Sequence, residues 1–275
     1  MTQSAPLQPD QKPSNWDDHV DVYEAAFEPL TDMFAARALD ALGTLRGLRL
    51  IDVGAGAGGA ALEAARRGAR VTAIDASAKM AARIAARAAA AGLTAIEAHA
   101  MDGARLDLPD AGFDAALSVF GVVLFPDAAG ALREIHRVLL PGGCVALVTW
   151  TQPHRYELAA RLRDAILAVR GAELPSTGLP AQLRYVDPDV FKALLAGGGF
   201  AIETVETIDA QWPVPSARWI AERLGFAPGL AAMLAALGPD RAAVLESFAA
   251  QLETDKGAGR IYLGAVAHVG IGVKS

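Results

Sequence analysis

The chain has 275 residues, 53% of them hydrophobic, one cysteine, and a net charge of −6 from 25 basic and 31 acidic side chains. That length suits one large domain or two small ones, and the apolar content supports a sizeable core, so global disorder is excluded. The acidic balance argues against binding nucleic acid through its phosphates. A single cysteine, Cys144, excludes an intramolecular disulfide framework and a cysteine-cluster metal site.

Residues 1–15 are polar, carry three prolines and read as a disordered arm. They contain no signal-peptide-like apolar stretch, and the apolar runs 115–125 and 261–273 are too short to span a membrane, so a soluble, cytoplasmic protein without membrane partners is expected. From Trp16 to about Leu45 the pattern is helical, with Val20, Tyr23, Ala26 and Phe27 at helical spacing and Pro29 expected to divide it. The pattern then alternates. Leu48–Val53 predicts a strand, Gly59–Arg67 a helix stopped by Gly68, and Arg70–Ile74 a second strand. Ser77 can cap the next helix, whose inner face carries Met80, Ile84 and Ala88. Thr94–Ala98 and Phe113–Phe120 predict two further strands. Asp127 can cap the following helix, Pro141-Gly142-Gly143 predicts a turn, and Cys144–Trp150 a fifth strand.

Strands alternating with helices across short connections predict a parallel sheet covered on both faces, which explains strands that are apolar runs. After Trp150 the rhythm changes. A helix over Tyr156–Arg170, a loop at Leu174–Pro180, a short helix at Asp187–Ala196 and a strand at Phe200–Gln211 are expected. Helices over Ser216–Leu252 and a last strand over Gly259–Val273 follow. The sheet should therefore end in a strand pair joined by a long helical insertion.

The strongest chemical signal is Leu50-Ile51-Asp52-Val53-Gly54-Ala55-Gly56-Ala57-Gly58-Gly59 at a strand-to-helix turn. Glycines there let a ligand approach the backbone, and the helix start offers free N–H groups. Asp75 ends the second strand, 21 residues beyond Gly54, where a ribose diol lies in a doubly wound fold. Gly54, Gly56 and Gly59 also satisfy the dinucleotide fingerprint, so this turn alone leaves an NAD(P)-dependent oxidoreductase open. Three features point elsewhere. Asp52 suits a cationic amino group rather than a pyrophosphate. Met101-Asp102-Gly103 follows the third strand, where a carboxylate can accept from an adenine amino group. Leu108-Pro109-Asp110-Ala111-Gly112-Phe113-Asp114 and Arg137-Val138-Leu139-Leu140-Pro141-Gly142-Gly143 lead into the fourth and fifth strands.

With these residues the chain resembles the class I S-adenosylmethionine-dependent methyltransferases, of the type that includes the ubiquinone/menaquinone-biosynthesis enzymes. The resemblance is good over about Trp16–Trp150 and loose beyond. Gly103 and Asp107 depart from the family's usual Ala and Pro. The resemblance implies a Rossmann-like α/β fold: a seven-stranded, mostly parallel sheet with an antiparallel last strand, a helical N-terminal lid and a helical insertion before the last strand. Within one domain over 16–275, it places the lid at 16–45, a cofactor-binding core at 46–150, substrate-side helices and a strand at 151–258 and the last strand at 259–275.

It implies S-adenosylmethionine as cofactor. Gly54, Ala55 and Gly56 would run beneath its methionine part, with Asp52 at that end. Asp75, with Ala76, would hold the ribose hydroxyls. Asp102 and Gly103 would border the adenine, with Met80 on its face. Ser118, Val119 and Phe120 would line the reaction centre, and Trp16, Val20 and Tyr23 would close the site. Methyl transfer to an O, N or C atom of a small, apolar or aromatic molecule is the implied activity; a non-catalytic S-adenosylmethionine-binding protein is the alternative from another class. Trp16 and Tyr23, seven apart, also fit a helix simply packed on the core. His154, in the loop after the fifth strand, and Tyr23 are the candidate catalytic residues, expected across one cavity. A solvated loop histidine is the plain alternative. The oligomeric state is not legible.

Overall fold

The computed structural model describes residues 6–175 and 178–275. The N-terminal region holds short helices α1 (Pro13–Trp16) and α2 (Val20–Val22), a π-helical turn at Tyr23–Phe27, and α3 (Glu28–Ala41). The division falls where Pro29 was expected to impose it, since proline is tolerated in a first helical turn. The core follows as β1 (Arg49–Val53), α4 (Gly59–Arg66), β2 (Arg70–Asp75), α5 (Ala78–Ala90) and β3 (Ile96–Ala100). Next come β4 (Phe113–Val119), α6 (Ala128–Val138) and β5 (Leu139–Trp150). Then α7 (Glu157–Arg170), α8 (Pro188–Gly197) and β6 (Phe200–Val214) precede α9 (Ala217–Ala221), α10 (Pro228–Ala236), α11 (Arg241–Lys256) and β7 (Ile261–Lys274).

The seven strands form one sheet in the order β3-β2-β1-β4-β5-β7-β6. β1 to β5 pair in parallel, and β7 runs antiparallel to both β5 and β6. The order reverses direction at β1, between β2 and β4, and this switch point opens the crevice outside the carboxyl ends of the strands. Alternate residues of the central strands enter two cores. Leu50, Ala73, Leu117 and Val148 join one, and Ile51, Ile74, Ala116 and Leu147 the other. Among the described residues no helix is long and apolar enough to cross a membrane.

Three local expectations change. Pro141-Gly142-Gly143 forms a bulge within β5, where pairing jumps from Phe113↔Leu139 to Ala115↔Cys144. β3 starts two residues later than predicted, because Thr94 and Ala95 still belong to the turn after α5. The expected disordered arm lies partly outside the described residues, at 1–5, but 6–15 is tied down. The Gln8 amide donates to the Leu179 carbonyl and accepts from the Ala181 N–H, at 2.9 and 2.8 Å. Gln11 donates to the Leu124 carbonyl, and the Asp10 carboxylate accepts from the Gly229 N–H at 2.7 Å, capping the start of α10. Polarity suggested an arm; these side chains instead satisfy backbone groups of distant segments. Deleting residues 1–15 should therefore lower the melting temperature by several degrees, since a lost cap alone costs about 1 kcal/mol. An unchanged melting temperature would show that the segment contributes nothing to the fold.

Candidate functional site

The glycine turn after β1 is built by backbone constraints. The Gly54 and Ala55 N–H groups both donate to the Ile74 carbonyl of β2, at 2.8 and 3.0 Å. Gly54, Gly56 and Gly58 all take positive φ, from +58° to +95°. What fills the space beside these glycines differs from the expectation. A Cβ at Gly54 would lie 2.9 Å from the Gly121 Cα, so two backbone segments touch here. A Cβ at Gly56 would lie 3.1–3.3 Å from the Tyr23 ring and hydroxyl. The glycines therefore serve close packing as well as ligand approach.

Asp75, half-buried at the end of β2, accepts from the Gly56 N–H through one oxygen and from the Ser77 N–H through the other, each at 2.9 Å. Burial raises its pKa to about 6, while the two N–H groups oppose that shift. Ser77 caps α5, accepting from the Met80 N–H at 3.1 Å, and its own hydroxyl donates to Asp17 at 2.6 Å. Asp17 thereby binds the N-terminal region to the start of α5. A row of ion pairs continues along that contact. Arg83 meets Asp21 and Glu24, and Arg87 meets Glu24 and Glu28.

A cavity of about 610 Å³ opens beside these groups, within the usual size of a small-molecule site. Gly54, Gly56, Asp75, Ala76, Met80, Asp102, Gly103, Val119 and Phe120 line it from the core, and Trp16 and Tyr23 from the N-terminal region. Met101, from the motif after the third strand, lines it too, as do Asp10, Phe27, Gly121, Leu124 and Phe125, which no motif marks. Their placement depends on tertiary packing. The Leu124–Asp127 loop is held by Arg184, whose guanidinium donates to the Val123 carbonyl at 2.8 Å and also to those of Phe125 and Pro126. Gly103 has a packing reason to differ from Ala: its Cβ would lie 2.6 Å from Val53 and 2.7 Å from Phe125.

A second, small cavity adjoins the first and shares Tyr23, Gly54 and Val119 with it. Glu28, Thr31, Asp32, Ala35, Asp52, Ala55, Gly59 and Ala60 complete its lining. Asp52 is 1% exposed, and neither of its carboxylate oxygens has a hydrogen-bond partner. Burial, then Asp75 and Asp32, push its pKa up to about 8. Burial and Glu28 push Asp32 up to about 7. Glu28 is better supplied, accepting from Arg87 at 2.8 Å and from the Gly59 N–H at 2.9 Å. Burial, and after it Glu28, raises the Tyr23 pKa, so this phenol stays protonated at neutral pH and is a donor rather than a base.

Three predicted site residues lie elsewhere. Val20 lines neither cavity; it is buried in a small core cluster with Ala57 and Met80, against which Trp16 and Tyr23 pack. Ser118 is fully buried. Its hydroxyl donates to the Val53 carbonyl at 2.6 Å and accepts from the Val122 N–H at 3.0 Å, so it ties β4 to β1 and does not line the cavity. His154 sits exposed in the turn Pro153–Arg155 and is not among the lining residues, so the structure does not bring it across the cavity from Tyr23. The reason is Trp150. Its side chain fills the carboxyl end of β5, stacked on Phe120 at 4.0 Å and on Tyr156 at 4.9 Å. The loop that follows lies outside that aromatic stack.

The comparisons with known proteins agree with this geometry. Residues 51–147 match the family model described as a methyltransferase domain. Demethylmenaquinone methyltransferase of Thermus thermophilus is 31% identical over 169 residues, covering 56% of this chain and 74% of that protein. The protein Rv1405c of Mycobacterium tuberculosis is 32% identical over 174 residues. The chain spans about 61% of the length of that and the other first curated relatives. Among solved structures, the [4+2]-cyclase SpnF aligns with a TM-score of 0.56 and 25% identity over 88% of this chain and 81% of its own. A phosphoethanolamine N-methyltransferase of Haemonchus contortus, solved with S-adenosylhomocysteine, shares the fold. Its TM-score is 0.58 at 16% identity, over 96% of this chain and 60% of that one. The chain belongs to the class I S-adenosylmethionine-dependent methyltransferases, whose cofactor is S-adenosylmethionine. The residues present fit that group: a buried carboxylate without a partner, a second carboxylate held at the strand end, and a wall free of lysine and arginine.

The two turn glycines should respond differently to substitution. Gly54→Ala should destabilise the fold by more than the roughly 1–2 kcal/mol of left-handed strain, because its Cβ meets backbone, which cannot give way. Gly56→Ala should cost about the strain alone, since the Tyr23 ring can shift. Urea unfolding of both variants checks this; equal losses would contradict the close approach of Gly54 to Gly121.

Proposed function

We propose that this protein transfers a methyl group from S-adenosylmethionine to an O, N or C atom of a small, apolar or aromatic acceptor. One observation carries the acceptor class. Among the described residues, no lysine, arginine or histidine lines either cavity; the charged lining is carboxylate throughout. A phosphorylated acceptor would face uncompensated repulsion there, whereas a neutral aromatic finds Phe27, Phe120, Leu124 and Phe125. The name of the Thermus thermophilus relative, a demethylmenaquinone methyltransferase, supports an apolar acceptor.

When bound, S-adenosylmethionine supplies a methyl group already activated on a sulfonium. The residues of this chain bind and orient it. Asp75, fixed by the Gly56 and Ser77 N–H groups, keeps its remaining lone pairs for the ribose diol. Met80 offers an apolar side chain to the adenine, and Asp102, exposed at the rim, can accept from the adenine amino group. Trp16 and Tyr23, in edge-to-face contact at 5.9 Å, cover the opening and exclude water. Alignment of acceptor, methyl and sulfur is then the main catalytic contribution. A quinol or aromatic alcohol gives up its hydroxyl proton on methylation; among the described lining residues the groups able to take it are carboxylates, not histidine. His154, which is not among the lining residues, is assigned no part.

Calorimetry with S-adenosylhomocysteine and with NADH tests the cofactor assignment: the first should bind and the second should not. Asp75→Ala should weaken S-adenosylhomocysteine by about 1.5–3 kcal/mol, the range for charge-assisted hydrogen bonds. Undiminished affinity in that variant would remove Asp75 from the site. Turnover of S-adenosylmethionine with an aromatic alcohol or quinol, and none with the phosphorylated analogue, would support the acceptor class; the reverse preference would refute it.

A further inference from the structure

The small cavity measures about 10 Å³, room for about one water-sized group. Three carboxyl groups face it, from Glu28 and Asp32 on α3 and Asp52 on β1, together with the Tyr23 and Thr31 hydroxyls. The guanidinium nearest to it, Arg87, is already engaged by Glu28, Glu24 and the Ala57 carbonyl. The charges that act on Asp52 are those of Asp75 and Asp32, both of its own sign. Asp32 faces Glu28 and Glu63, with Arg87 and Arg66 as the cations in reach. Among the described residues no group of side chains is suited to hold a metal ion. The cavity shares Tyr23, Gly54 and Val119 with the large cavity, whose lining also includes Asp75 and Asp102.

With the amino group of the cofactor's methionine part entering beside Asp52 as an ammonium cation, as the glycine turn already implies, we propose that the Asp52–Asp32 pair gives up a proton to solvent as the cation enters. The proposal rests on the cofactor reading above and adds a proton-coupled binding step to it. Its physical basis is electroneutrality. So many carboxylates cannot all stay ionised in a buried space with one committed cation, so the free protein holds a proton among them. The ammonium group replaces that proton. One positive charge enters, one leaves, an O–H bond is broken, and the charge enclosed is unchanged. The raised pKa values of Asp32, about 7, and Asp52, about 8, agree with a proton held at neutral pH.

The sign follows from linkage. Both carboxyl pKa values lie above their ordinary range in the free protein, and a bound cation lowers them. Binding therefore releases protons, and affinity rises with pH until about 8, where the free protein has lost its proton. The slope of log affinity against pH equals the number released.

Calorimetry of S-adenosylhomocysteine binding near neutral pH, in two buffers of different ionisation enthalpy, counts those protons. Release on the order of one proton is expected, with the dissociation constant falling up to about tenfold per pH unit below 8. 5′-Methylthioadenosine lacks the amino-acid part and should bind without release. Asp32→Asn keeps the cavity's size and should cut the release and flatten the pH profile; circular dichroism verifies its fold. Asp52→Asn, read the same way, serves if Asp32→Asn does not fold. Binding of S-adenosylhomocysteine with no proton released, or equal release with 5′-methylthioadenosine, overturns the proposal while leaving the cofactor assignment intact. No binding of S-adenosylhomocysteine at all overturns both.

Discussion

A carboxylate inside a protein must be paired, hydrogen-bonded or protonated, and Asp52 is buried at the end of β1 with no partner for either oxygen. Much of the site depends on that constraint. Asp32 and Glu28 add charge of the same sign from α3, and Asp75 adds it from β2. That charge is relieved either by a proton held on the carboxyl groups or by a cation supplied from outside. A cofactor with a cationic amino group and a sulfonium centre meets that need; a pyrophosphate would aggravate the repulsion. The charge that burial makes unfavourable in the free protein thus becomes affinity for one kind of ligand.

The second constraint is steric. Gly54 and Gly121 bring the ends of β1 and β4 into backbone contact, and this fixes the residues before Gly121. Phe120 sits there with φ of +58°, a conformation that a bulky side chain adopts only when its surroundings hold it. Stacking on Trp150 and edge-on contact with Phe34 hold it. From this anchor an aromatic series runs through Trp150, Phe27 and Tyr23 to Trp16, so the cavity wall forms one packed unit with the N-terminal region. The stacking of Phe27 on Phe226 at 4.5 Å joins the insertion between β6 and β7 to that unit. Asp10 joins it again through Gly229.

What the sequence revealed about the site was what a single β–α unit determines. The glycine turn, Asp75 beyond β2, the Ser77 cap and Met80 on the next helix are set by local geometry, and spacing places them. The parallel pairing of the first five strands was legible for the same reason, because short helical crossovers return each strand in the same direction. Asp32, Asp10 and Arg184 act across long sequence separations, and no periodicity or motif marks them. His154 failed as a site residue because a strand end predicts only where a loop starts. Which side chain fills the intervening space depends on packing, and Trp150 fills it. Ser118 failed because its hydroxyl satisfies backbone groups of the neighbouring strand and loop. The arm failed because polar residues can serve distant carbonyls and N–H groups as readily as solvent.

A crystal structure of the protein with S-adenosylhomocysteine tests the central claim most directly, that this carboxylate-lined crevice is built for a cationic adenosyl cofactor. The account predicts the ribose hydroxyls on Asp75, the adenine between Met80 and Asp102, and the amino group within hydrogen-bonding distance of Asp52. A complex with the ribose away from Asp75, or with the amino group in solvent and Asp52 still unpartnered, would contradict it.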